Sequence, residues 1–184
     1  MAHAIKSRNG LHKAYNRAPA SIRGYFKHMP ELIDAFAYTV CLAYAFAQLA
    51  LAQNMALYCG FVKLFRADAE LARRAVGTHH MTREGFVDLY KVVFGFDLPQ
   101  SAASALKIAE EMRDHVMHGK PTTDDRIRNA IARVLEYAAA INQQLKGSCG
   151  VEPFGELRGF AGAAKKLDKR TTRFMLKGMG FALG

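Results

Sequence analysis

A chain of 184 residues is long enough for one domain with a real core, or one domain with tails. Abundant alanine, only five prolines and no tryptophan argue against a sheet-rich fold and for helices. The net charge of +10 is carried by the ends: residues 1–30 hold six Lys/Arg and no acid, and residues 157–184 hold seven with Asp168 as the single acid, while 31–156 holds 13 basic and 15 acidic residues.

Basic ends on a near-neutral middle suit a polyanionic partner, either nucleic acid or an anionic membrane surface; the alternative is a device for solubility. Cys41, Cys59 and Cys149 are odd in number and lack metal-ligand spacing, so they read as free thiols of a reducing, cytoplasmic compartment. The first 30 residues hold no apolar run of signal-peptide length.

Residues 1–29 read as a basic N-terminal arm with at most a short helix, and the structured part is expected to start near Pro30. Residues 35–62 then form an uncharged run whose bulkier members, Phe36, Val40, Tyr44, Leu51, Met55, Tyr58, Val62 and Phe65, recur at helical spacing. By length the run suits a membrane span. Its alanine content and Gln48, Gln53 and Asn54 favour instead the central helix of a bundle, apolar nearly all round. Residues 63–76 continue this helix or begin another, with Arg66, Asp68, Glu70, Arg73 and Arg74 on the wet side.

Thr82 is an N-cap for a helix through Phe94 that turns Phe86, Leu89, Tyr90 and Val93 inward. A helix over about 100–117 follows, with Ala105, Ile108 or Ala109, Met112 and Val116 as its apolar stripe. Gly119 fits a left-handed C-cap and Pro121 prevents continuation. Thr122 or Thr123 caps a last long helix to about Lys146, with Asp124 and Asp125 at its positive end and Ile127, Ile131, Val134, Leu135, Ala138 and Ile141 inward. No segment alternates with period two, and no internal repeat is evident. The expected organisation is therefore all-α: an arm over 1–29, a helical bundle over 30–146 and a Gly-rich basic C-terminal extension over 147–184.

That extension holds more than half of the 15 glycines. Residues 165–177 can form a short basic amphipathic helix anchored by Leu167, Phe174 and Leu176. Lys120, Lys165, Lys166, Lys169, Arg170 and Arg173 are candidate RNA-binding cations, with Phe154, Phe160, Phe174 and Phe181 available for stacking. The alternative is a tail that packs on the bundle through those same phenylalanines.

The chemistry-bearing residues converge on Arg113-Asp114-His115-Val116-Met117-His118-Gly119. An arginine five residues before a histidine occurs three times, as Arg23/His28, Arg74/His79 and Arg113/His118, so context decides between them. Arg113 follows the buried stripe at Met112. Asp114 lies four residues before His118, where a helix brings a carboxylate within reach of the imidazole to orient it. His118 stands at a helix C-terminus, whose dipole favours a protonated ring. Two other readings compete: Arg113 bridging Glu110 on a wet face, and a metal site from Asp114, His115 and His118 with His79 or His80.

An arginine, a polar residue and a histidine at this spacing, followed by a glycine and a capped amphipathic helix, resemble the signature of HEPN-domain proteins. The resemblance covers roughly residues 30–146 in helix order, and about ten residues in sequence. It implies an up-and-down bundle of four to five helices that forms a homodimer, with an arginine–histidine pair from each protomer facing across a cleft. It implies a metal-independent endoribonuclease without cofactor, of toxin or antiviral-defence type, with RNA as substrate and an antitoxin protein as a partner. His118 would act as the acid/base group, Arg113 would stabilise transition-state charge, and Asp114 would orient the histidine. Some members of that superfamily only bind, so a non-catalytic module holding nucleic acid or a partner protein stays open.

Overall fold

The computed structural model describes residues 4–155, 160 and 162–183. Among the described residues there are nine helices and no strand: α1 (Arg8–Arg17), α2 (Ala20–Tyr25), α3 (Met29–Ala35), α4 (Tyr38–Lys63), α5 (Ala69–Thr78), α6 (Arg83–Phe94), α7 (Gln100–Met117), α8 (Asp124–Cys149) and α9 (Lys169–Gly178). The all-α expectation holds, with more helices than a bundle of four to five.

The centre is α4, a helix about 39 Å long that carries no charge before its last residue, Lys63. Helices α3, α5, α6, α7 and α8 all pack against it, and α7 packs along α8. Helix α4 is long and apolar enough to cross a membrane, yet 44% of its most apolar 18-residue stretch is buried within the fold. The buried face is Leu42, Ala45, Phe46, Leu49, Ala52, Leu57 and Phe61. The bulky stripe read from the sequence mostly points elsewhere: Phe36, Val40, Leu51 and Met55 are exposed, and of that stripe only Val62 is buried. A helix whose one charged residue stands at its very end carries no mark of which side is wet, so tertiary packing chose the face. At Gly60 the backbone of α4 comes so close to α6 that a Cβ there would run into Val93 Cγ1.

Local signals set the helix ends. Thr82 accepts from Gly85 N, and Asp68 accepts from Leu71 N at the start of α5. Helices α4 and α5 are separate because Arg66 adopts φ 58°, a left-handed turn. Helix α8 starts where expected, but the Thr123 hydroxyl makes no cap, and Thr122 Oγ1 donates instead to Met112 Sδ at 3.0 Å.

The N-terminal stretch is not a separate arm. Leu11, Tyr15, Ile22, Phe26 and Met29 all lie in the core. Helix α1 is capped by Ser7, which accepts from Gly10 N, and it packs against α3 and α8. Buried Arg128 of α8 donates to the carbonyls of Ile5 and Lys6, pairs with Asp125, and places its guanidinium 4.9 Å from the Tyr38 ring centre. The inward pairs Leu11/Tyr15 and Ile22/Phe26 recur at i,i+4, but each helix is too short and too basic for that period to stand out.

The C-terminal extension also folds back. Phe154 is buried, in ring contact with Tyr25, Phe26 and Tyr137. Buried Asn142 fixes it, with Nδ2 donating to Phe154 O at 2.8 Å and Oδ1 accepting from Phe154 N at 2.9 Å. Further on, Leu167 N donates to Arg66 O at 2.8 Å, and Thr172 Oγ1 accepts from Asp68 N at 3.0 Å, which ties α9 to α5. Phe181 packs edge-on to Phe61. Burial pushes the Cys41 and Cys59 thiols up to about 12, so both stay protonated and unreactive near neutral pH.

Both ends should belong to one cooperative unit. Leu11→Ala should cost about 2–5 kcal/mol through the cavity it leaves. Asn142→Ala should cost about 2–4 kcal/mol by leaving the Phe154 N–H and C=O buried without partners. Urea unfolding followed by far-ultraviolet circular dichroism measures both. Wild-type midpoints in both variants would mean that the ends are not part of the core.

Candidate functional site

The last turn of α7 is closed by a glycine-dependent cap. Gly119 lies at φ 63°, Gly119 N donates to Val116 O, and Lys120 N donates to His115 O. These are the paired bonds of a Schellman ending. They end the helix at His118 and leave its side chain exposed.

Arg113 stands about 1.4 turns earlier and is partly exposed, with 43% of its side chain accessible. Its guanidinium lies 5.0 Å from the centre of the Phe46 ring on α4. Nε and Nη2 donate to Asp114 Oδ1 at 3.1 and 2.8 Å. The carboxylate expected to orient His118 is therefore engaged by Arg113, and no Asp114–His118 ion pair forms among the described residues. Adjacent positions on a helix point apart, so a bond between Arg113 and Asp114 is not visible from spacing; the reach of the arginine side chain makes it.

Below this turn lies a charged cluster of a kind not anticipated. Glu110 has only 12% of its side chain accessible, and Arg83 Nη1 of α6 lies 3.0 Å from its Oε2, close enough for charge attraction but without hydrogen-bond alignment. The Glu110 carboxyl is raised above the ordinary range, mainly by burial; Arg83 and Arg113 pull it back and Asp114 pushes it further up. The wet-face bridge between Arg113 and Glu110 is thus replaced by a buried carboxyl whose closest cation is Arg83. His115, between the two motif residues, has a buried Nδ1 without a hydrogen-bond partner.

The expected RNA-binding cations fall on two separate elements. Lys120 is exposed in the turn after α7. Lys165 and Lys166 are exposed before α9, and Arg170 and Arg173 are exposed on it. Lys169 donates to Glu70 of α5 at 2.8 Å. Helix α9 packs against α5, whereas the Arg113–His118 turn belongs to the α7–α8 pair, so the structure does not gather all the predicted residues in one place. Of the four candidate stacking rings, Phe154 and Phe181 are buried, Phe160 lies near Tyr58, and Phe174 is 82% exposed. The grouping with His79 is not formed either, because His79 packs 4.8 Å from the Phe181 ring. Among the described residues no three His, Cys, Asp or Glu side chains gather as a metal-holding group.

Phe46, Arg83 and the burial of Glu110 were missed from the sequence. Glu110 carried one signal, its place one turn before Arg113; Phe46 carried none, being 67 positions away from Arg113. No protein-family model matches this sequence, and neither a curated protein nor a solved structure matches it.

Ionised Glu110 weakens the fold, because a carboxyl raised on folding binds its proton more readily in the native state. Its effect is a loss of stability as pH rises through the folded-state value, and relief as pH falls. Glu110→Gln should therefore raise the thermal midpoint at about pH 7, and the gain should shrink towards about pH 4, where carboxyls are protonated. A lower midpoint for the variant at pH 7 would show that the charge pairs of Glu110 outweigh its burial.

Proposed function

We propose that this protein is a HEPN-type endoribonuclease working without metal, in which Arg113 and His118 cleave RNA by attack of a ribose 2′-hydroxyl on the neighbouring phosphate. The observation that carries this reading is the shape of the last turn of α7. It carries a partly exposed arginine and an exposed histidine within five residues at one helix end, which left-handed Gly119 closes. His118 passes the proton, and Arg113 meets the charge that grows on the phosphate oxygens. Its remaining amino group, Nη1, is not used by Asp114.

The reading includes a homodimer, and the uncharged outer face of α4 is the surface that suits it. Val40, Leu51 and Met55 are exposed there, and Phe46, which supports Arg113, lies on the same helix. An uncovered apolar face of this kind favours association. An antitoxin partner, RNA as the substrate and a cytoplasmic, phage-defence setting belong to the same proposal.

A second reading is favoured by a specific observation. Phe174 is 82% exposed on a helix that also presents Arg170 and Arg173, an arrangement for phosphate contact plus base stacking. The protein then holds RNA without cutting it, and Arg113 serves to join α7 to α4 through Phe46.

Cleavage of labelled total RNA in excess EDTA separates the two. Wild type should give fragments with 2′,3′-cyclic phosphate ends. Arg113→Ala should lose about 10²–10³-fold in rate and His118→Ala about 10²–10⁴-fold. If folded wild type leaves every RNA class intact and Phe174→Ala weakens RNA retention, the binding reading replaces the nuclease. The dimer has its own test by light scattering: Leu51→Glu should give monomers and abolish cleavage, and a dimer that persists would remove α4 as the interface.

A further inference from the structure

We propose that the groove between α1 and α8 is a docking site for an acidic amphipathic helix of a partner protein. The groove has a volume of about 710 Å³ and runs beside α1. Its floor is apolar and low: Ala14 and Ala18 on one side, Ala132, Leu135 and Ala139 on the other. Such small side chains let the backbone of an added helix approach closely.

Its edge is cationic. Lys6, Lys13 and Arg17 line it, and all three are exposed. The one acid at the groove, Glu136, is already neutralised by Arg133 Nη1 at 2.6 Å. None of the three cations forms an ion pair among the described residues. The groove therefore complements negative charge.

The spread of that charge selects the occupant. Lys13 and Arg17 are one helical turn apart, about 6 Å, and Lys6 precedes the Ser7 cap at the other end. Cations drawn out along the length of α1, about 15 Å, match carboxylates repeated at i,i+4 on a helix. A small molecule with one acidic head would satisfy one cation and leave the others. A nucleic acid would meet the cations with phosphates, but among the described residues no aromatic ring lines the groove for its bases to stack on. An acidic helix with an apolar face satisfies both the floor and the edge, as in helix-in-groove recognition.

The site is independent of the proposed nuclease, since neither Arg113 nor His118 lines it. A fluorescein-labelled helical peptide of about four turns tests it, with leucine and alanine on one face and glutamate at i,i+4 along the edge. A counterpart with lysine for glutamate is the control, and anisotropy is the readout. The acidic peptide should bind saturably and the lysine peptide should not. Lys13→Glu/Arg17→Glu, both surface positions, should weaken binding at least about tenfold. Ala139→Trp, which fills the floor, should abolish it while circular dichroism stays unchanged. Absence of saturable binding to wild type, equal binding of the lysine peptide, or wild-type affinity in the double variant overturns the proposal. So does a double variant that loses RNA retention but keeps peptide binding, because the cations would then serve nucleic acid. RNA cleavage in the same preparation reports on the nuclease separately.

Discussion

A helix of 26 residues without a single charge before Lys63 has to be covered, and the rest of the fold is arranged around that need. Helices α3, α5, α6, α7 and α8 each take part of its surface. The C-terminal segment closes another part, since Ala163 N donates to Val62 O and Phe181 packs on Phe61. The contact with α6 needs Gly60, because any side chain there would strike Val93. One sector stays open, marked by Val40, Leu51 and Met55. An open apolar sector on an otherwise enclosed helix is an unmet hydrophobic demand, which is why the proposed dimer is placed there.

The same helix governs the end of α7. Phe46 is buried in α4 and gives Arg113 a flat surface to lie on, so the guanidinium is located by α4 as much as by its own helix. Asp114 holds one edge of it. An arginine fixed on two sides loses little further freedom when it meets a phosphate, which suits a positioning role in chemistry. The same fixation also suits a purely structural tie between helices. Geometry alone makes both roles physically sound, and the two differ in whether His118 moves a proton.

What was legible in the sequence was local. Thr82 as a cap, Gly119 in the left-handed region and the start of α8 after Thr123 each depend on neighbours within a few positions, and each is found. The inward faces of α6 and α8 were legible too, because charged residues mark their wet sides. The facing of α4 was not, since a helix apolar all round offers no contrast. The burial of residues 8–29 and of Phe154 depends on partners across the fold, including Arg128 reaching Ile5 and Asn142 holding Phe154. The partners of the motif failed for the same reason: Phe46 is remote in sequence, and Asp114 had two candidates in reach and bonds the arginine.

The charge that looked like two loose tails lies on two structured surfaces of different chemistry. On α1 the cations border a floor of alanine and leucine, and on α9 they surround a protruding phenylalanine. Long-range attraction draws a polyanion to either surface alike. Selection must then come from the apolar component. A ring standing in water gains by stacking on a base, whereas a shallow aliphatic trough gains only from a partner that carries its own apolar ridge. Equal charge at the two ends of the chain thus suits recognition of two different kinds, and the uncharged residues between the lysines and arginines are what distinguish the two surfaces.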